Sequence, residues 1–204
     1  MIRPPVFALV LALSVTGAWA DRYSDCNQSA DPDRRIRGCT QVIERGKRES
    51  RENRSFAYTN RGNAYDDKGE VDRAIADYTK AIALDPNYAF AYNNRGLTYE
   101  KKGEVDRAIA DYTRAIALDS NYAIAYTNRG AAYHSKGALD RAIADFDETI
   151  KRNPNYAITY TNRGHTYEKK GDKEQAIADF RKALEIDPSD QDAKEALKIL
   201  GVTP

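Results

Sequence analysis

From Ser55 onward, small and apolar residues return at helical spacing, and the pattern as a whole returns every 34 residues. In the stretch VDRAIADYTKAIAL (71–84), Ala74, Ile75, Tyr78, Ala81 and Ile82 fall at the i, i+4, i+7 intervals that place them on one face of a helix. A helix before it carries Gly62 and Tyr65 and ends near Gly69, where glycine can take a left-handed cap. Gly103, Gly137 and Gly171 stand at the same place in later units. The second helix stops at Asp85-Pro86, because proline disfavours the helical conformation of the residue before it. Asn87 is placed to cap the helix that follows.

Residues 57–90 and 91–124 match at 26 of 34 positions, a third copy occupies 125–158, and a more divergent fourth occupies 159–192. A pair of helices this short cannot bury its own apolar face, so stacked pairs must share a continuous core. Within a unit, Gly62 is expected to face Ala74 and let the two helices approach. Tyr65, Tyr99, Tyr133 and Tyr167 should fill the space beside Tyr78, Tyr112, Phe146 and Phe180. At the C-terminal end QDAKEALKIL (191–200) sets Ala193, Ala196, Leu197 and Leu200 on one side, as a capping helix requires. At the N-terminal end DRRIRGCTQVIER (33–45) aligns with Asp72 to Leu84, placing Cys39 on Tyr78, with Asp31 and Pro32 as helix-start residues. A polar connection, 44–54, separates this half-unit from the first full unit.

These residues resemble the tetratricopeptide repeat, whose pattern of aromatic, Gly, Tyr, Ala, aromatic, Ala and Pro is met by Tyr58, Gly62, Tyr65, Ala74, Tyr78, Ala81 and Pro86. The resemblance implies an all-α, right-handed α-solenoid. It divides the chain into a half-unit (21–54), four repeats (55–88, 89–122, 123–156 and 157–190) and a capping helix with tail (191–204). Three departures stand out: Ser120 replaces the proline, Thr149 replaces an alanine, and Arg61, Arg95, Arg129 and Arg163 stand where leucine is common. Arginines beside a helix interface need partners, and Asp77, Asp111, Asp145 and Asp179 are the expected ones.

The first twenty residues follow a different pattern. Arg3, the apolar run VFALVLALSV (6–15) and Ala18-Trp19-Ala20 are laid out like a secretory signal peptide cleaved after Ala20. This predicts a periplasmic or secreted protein of bacterial type with no membrane span after cleavage. Removing Arg3 leaves 31 basic against 31 acidic side chains, so the broad basic field expected of a nucleic-acid binder is missing. Arg45, Lys47, Arg48, Arg51 and Arg54 are interleaved with Glu44, Glu49 and Glu52, the pattern of a solvated segment. Cys26 and Cys39 are the only cysteines, and in an exported protein an even count suggests a disulfide; two free thiols are the alternative.

Catalytic signatures are absent from the sequence: it holds no Gly-rich phosphate loop, GxSxG, HExxH or CxxC. His134 and His165 would need Glu168 or Glu100 as a third ligand to hold a metal, and solvated groove residues are the simpler reading. Asp66-Asp67 and Asp145/Asp147 sit at helix ends or on charged faces beside lysines, and residues that recur every 34 positions serve the repeat first, which argues for structure over acid–base chemistry. The expectation is therefore a non-enzymatic scaffold with no cofactor and no metal. On the family's geometry, a protein or peptide partner would meet Asn60, Asn94, Asn128 and Asn162, flanked by Phe56, Phe90, Ile124 and Ile158, with Thr59, Asn93, Thr127 and Thr161 between. The family's carboxylate clamp is matched only at Asn63 and Asn94; Thr59, Ile124 and Asn128 replace its cationic residues. The competing reading is an envelope assembly factor that self-associates through its ends or outer face.

Overall fold

The computed structural model describes residues 23–27 and 29–203. The leader expected at 1–20 lies outside them. The described residues contain no strand. After a helical stub at 23–27, the order is α1 (Pro32–Glu44), a short 3₁₀ segment (Gly46–Arg48), α2 (Arg51–Asp67), α3 (Val71–Leu84), α4 (Ala89–Lys101), α5 (Val105–Leu118), α6 (Ala123–Ser135), α7 (Leu139–Arg152), α8 (Ala157–Lys170), α9 (Lys173–Ile186) and α10 (Gln191–Ile199).

Each unit is a helical hairpin, α2–α3, α4–α5, α6–α7 and α8–α9, and each second helix also packs on the first helix of the next unit. First helices of successive units touch (α2–α4, α4–α6, α6–α8), and no comparable contact joins the second helices. The first helices therefore line the inner side of the stack. No helix among the described residues is long and apolar enough to cross a membrane.

The core is periodic. Tyr78, Tyr112, Phe146 and Phe180 are essentially fully buried, each closed in by alanines such as Ala74 and Ala81. Burying each ring contributes about 1.5–3 kcal/mol. The glycines expected to face alanine face these rings instead. A Cβ at Gly62 would lie 2.7 Å from the Tyr78 ring, and one at Gly96 would lie 2.6 Å from that of Tyr112. The first helix gives up its side chain so that the aromatic of the second can pack closely against its backbone. Helix α2 ends at a residue before Gly69, which takes φ +75°, as the sequence suggests.

Between units, the chain turns differently from expectation. Asp85 Oδ1 accepts the Asn87 N–H at 3.0 Å, and the N-cap residue of α4 is Tyr88, with no side-chain cap, so Asn87 does not cap it. The carboxylate organises the turn before the helix begins.

Both ends are closed. At the N-terminus Asp31 caps α1, accepting from the Asp33 N–H at 2.9 Å, and Cys26 is bonded to Cys39. The connection expected over 44–54 is shorter than supposed: Ser50 caps Asn53 N–H at 3.0 Å, and α2 already starts at Arg51. Glu49, nearly buried, pairs with Arg45 at 2.6 Å and accepts from Tyr23 at 2.5 Å, which ties the basic stretch to the half-unit. At the C-terminus Asp190 caps α10, whose Ala193, Ala196 and Leu197 cover Tyr160, Phe180 and Ala183.

All four expected arginine–aspartate pairs form, each with two hydrogen bonds. Arg95 Nε and Nη2 lie 2.8 Å from the two oxygens of Asp111, and Arg61, Arg129 and Arg163 repeat the arrangement with Asp77, Asp145 and Asp179. The remaining nitrogen of each reaches back to the preceding unit: Thr40 at 2.9 Å, Thr79 at 3.0 Å, Thr113 at 3.1 Å and Asp147 at 2.5 Å. Thr40 fills the role of Thr79, which places 33–45 in register as a second helix.

Candidate partner-binding groove

The inner face is built from α2, α4, α6 and α8. A period of 34 residues with no insertions brings the same helix position into line from unit to unit. Phe56, Phe90, Ile124 and Ile158 form one such row, 37%, 41%, 46% and 44% exposed. Leu97 and Ile199 are the other large apolar side chains exposed among the described residues, and four such side chains at one repeat position mark a surface with spare contact area.

The asparagines divide into two groups. Asn94 Nδ2 donates to Asn63 Oδ1 at 2.8 Å, and Asn128 Nδ2 donates to Asn93 Oδ1 at 2.9 Å. Asn93 in turn donates to Asn94 Oδ1 at 3.2 Å. These amides bind one unit to the next. Asn93 is only 2% exposed, so it supports the face from beneath, and Thr59, Thr127 and Thr161 beside it are buried too. Among the described residues, Asn60 Nδ2 is buried without an acceptor. The described part of the first helix that precedes Asn60 is the stub at 23–27. Asn162 has no side-chain partner within the described residues. The place that Asn63 fills for Asn94 is held by Ala131, which offers no acceptor.

Asn162 instead lines a cleft of about 180 Å³ with Ala131, His134, Phe146 and His165. His134 Nδ1 lies 2.8 Å from Thr166 Oγ1, whose own proton goes to the Asn162 carbonyl at 2.7 Å. His134 Nδ1 therefore donates, and in the neutral ring Nε2 is an acceptor. Burial, then Lys169 and His165, holds the His134 pKa below its ordinary 6.5. His165 sits edge-on to Phe180 with centroids 4.9 Å apart, between Glu168 at 3.4 Å and Asp192 at 3.1 Å. In the preceding units this depth is occupied by phenols: Tyr78 donates to Asn63 Oδ1 at 2.8 Å and Tyr112 to Glu100 Oε2 at 2.5 Å. Burial raises the Glu100 pKa, partly offset by that bond.

The other acidic candidates are engaged in ion pairs. Asp66 pairs with Lys101 at 2.5 Å, Asp67 with Arg35, Asp145 with Arg129 and Asp147 with Arg163. No group of three or more His, Cys, Asp or Glu suited to a metal occurs among the described residues. Asn63 and Asn94, which match the carboxylate clamp, are bonded to each other, and Thr59 is buried. Sequence reasoning missed the cleft. Its signal was the coincidence of Phe for Tyr at 146 with Ala at 131.

Comparison with known proteins agrees with this architecture. Tetratricopeptide-repeat family models match residues 62–103, 98–137, 123–156 and 157–190. A crystal structure of MamA is 33% identical with a TM-score of 0.69, covering 78% of this chain and 90% of that one. A second MamA structure is 29% identical at TM-score 0.70, covering 92% and 96%. The TPR domain of Arabidopsis OM64 is 29% identical at TM-score 0.55, covering 55% and 93%. No curated protein matches the chain.

Proposed function

Since the chain belongs to the tetratricopeptide-repeat family and is a protein-interaction scaffold, we propose that it acts in the cell envelope, holding an extended partner segment along the inner face of α2, α4, α6 and α8. The observation that carries this reading is the exposed row Phe56, Phe90, Ile124 and Ile158. Apolar anchors in line supply the buried contacts that dominate affinity. The polar groups around them fix the course of the bound backbone.

Export rests on the leader pattern at 1–20, and the Cys26–Cys39 bond fits an oxidising compartment. N-terminal sequencing of the protein from an envelope fraction should begin at Asp21; a cytosolic product beginning at Met1 overturns export.

The groove is tested by crosslinking the native protein in the envelope, identifying the captured partner, and repeating capture with Phe90→Gln plus Ile124→Gln. Both side chains are exposed, so helicity should hold while affinity falls by about tenfold or more for each anchor lost. Undiminished capture moves the site off this face. Alanine at Asn94 and Asn128 is a poorer probe, since those amides also join the units.

A further inference from the structure

The cleft between α6 and α8 has chemistry that the rest of the groove lacks. Phe146 and Ala131 give it an apolar floor, and Asn162, His134 and His165 stand around it. Its volume of about 180 Å³ is well under the roughly 300–1,000 Å³ of pockets that take drug-sized ligands. It suits a single side chain.

Two polar functions there are unspent. Among the described residues the Asn162 amide bonds to no other side chain, and the His134 ring bonds through Nδ1, to Thr166, and not through Nε2. The first is a ready donor and the second, in the neutral ring, a ready acceptor. A ligand group that satisfies both must donate and accept, and a hydroxyl does so through one atom.

The solenoid shows what fits such a place. In the first two full units the aromatic of the second helix is tyrosine, and its hydroxyl donates to Asn63 or Glu100. Glu100 and His134 occupy the same position one repeat apart. In the third unit Phe146 ends without a hydroxyl, so the acceptor is left facing the cleft.

Building on the groove reading above, we propose that this cleft is a specificity pocket for a tyrosine side chain of the partner segment. Its ring lies against Phe146 and Ala131, and its hydroxyl donates to His134 Nε2 while accepting from the Asn162 amide. The low basicity of His134, set by burial, Lys169 and His165, keeps that acceptor available at neutral pH.

The probe is N-acetyl-L-tyrosinamide, with N-acetyl-L-phenylalaninamide as comparison, titrated into the mature chain at pH 7.5 or thereabouts. Chemical shifts of the His134 ring and the Asn162 side-chain amide report binding. The tyrosine probe should shift both and bind about 2- to 12-fold tighter than the phenylalanine probe, the range expected of one net hydrogen bond. Phe146→Tyr supplies the hydroxyl from within, as Tyr112 does for Glu100, and should abolish the response while leaving the helical spectrum intact. Tyr112→Phe should leave it unchanged. Equal binding of the two probes removes the hydroxyl recognition, and an undiminished response in Phe146→Tyr removes the pocket. These measurements use no partner, so they fail independently of the groove. If Phe146→Tyr still captures the crosslinked partner but the probes behave alike, the groove stands and this pocket does not.

Discussion

Each repeat arginine works as a three-way junction. Arg95 spans Asp111 of its own unit and Thr79 of the one before, and its guanidinium lies within 5.8 Å of the ring centroids of Tyr92 and Tyr99. Asp111 is 6% exposed, so Asp111→Ala leaves a cation poorly solvated. That change should cost about 1–3 kcal/mol, below the 3–5 kcal/mol of a fully buried pair because Arg95 keeps some solvent. Arg95→Leu with Asp111→Ala should recover part of the loss, and a double-mutant cycle on urea midpoints checks this. Gly96→Ala should cost about 1–3 kcal/mol through overpacking against the Tyr112 ring, read from the same midpoints. The pH response of His134 has a definite sign. Its folded pKa lies below 6.5, so the unfolded chain takes up the proton first, and stability falls as pH drops through that value. His134→Gln should flatten the part of the stability profile just below pH 6.5.

At the scale of the helix, the 34-residue period made the hairpins, the Gly69-type stops and the arginine–aspartate pairs legible before any coordinates. Period alone could not give depth. Asn93 and Asn94 are adjacent in sequence and both project toward the inner side, yet one is buried in the ladder and the other is half-buried above it. Nor could it show that Gly62 serves the ring of Tyr78 in place of Ala74, because both lie on the same stripe of α3. The cleft escaped because it depends on two substitutions in different helices meeting in space. The half-unit was readable by alignment, and its weakness is plain in the structure. Among the described residues, the first-helix partner of α1 is the stub at 23–27, held by the disulfide. Replacing both Cys26 and Cys39 with serine should cost about 3 kcal/mol in the chain-entropy estimate for a loop of this size. The loss should appear as faster hydrogen exchange over α1 with little change in α6 to α9.

Over the whole molecule, stability passes from neighbour to neighbour, so the ends decide how the stack opens. Removing 188–204 takes α10 away and uncovers Tyr160, Phe180 and Ala183. That truncation should fray α8 and α9 first and make the chain aggregate at concentrations where the full protein is monodisperse by light scattering. The last unit is also written differently from the others. Where inner units offer Thr79, Thr113 or Asp147 to the next arginine, the fourth carries Arg181, and the residue that would have been the next arginine is the buried Leu197. Inside the array, then, every unit ends in a socket and the final one ends in a plug. A tandem duplication of the second or third unit would inherit a matched contact at both joints and lengthen the solenoid at once. A duplication of the fourth would set Arg181 against an incoming guanidinium. The chain can grow from its middle but not from its tail.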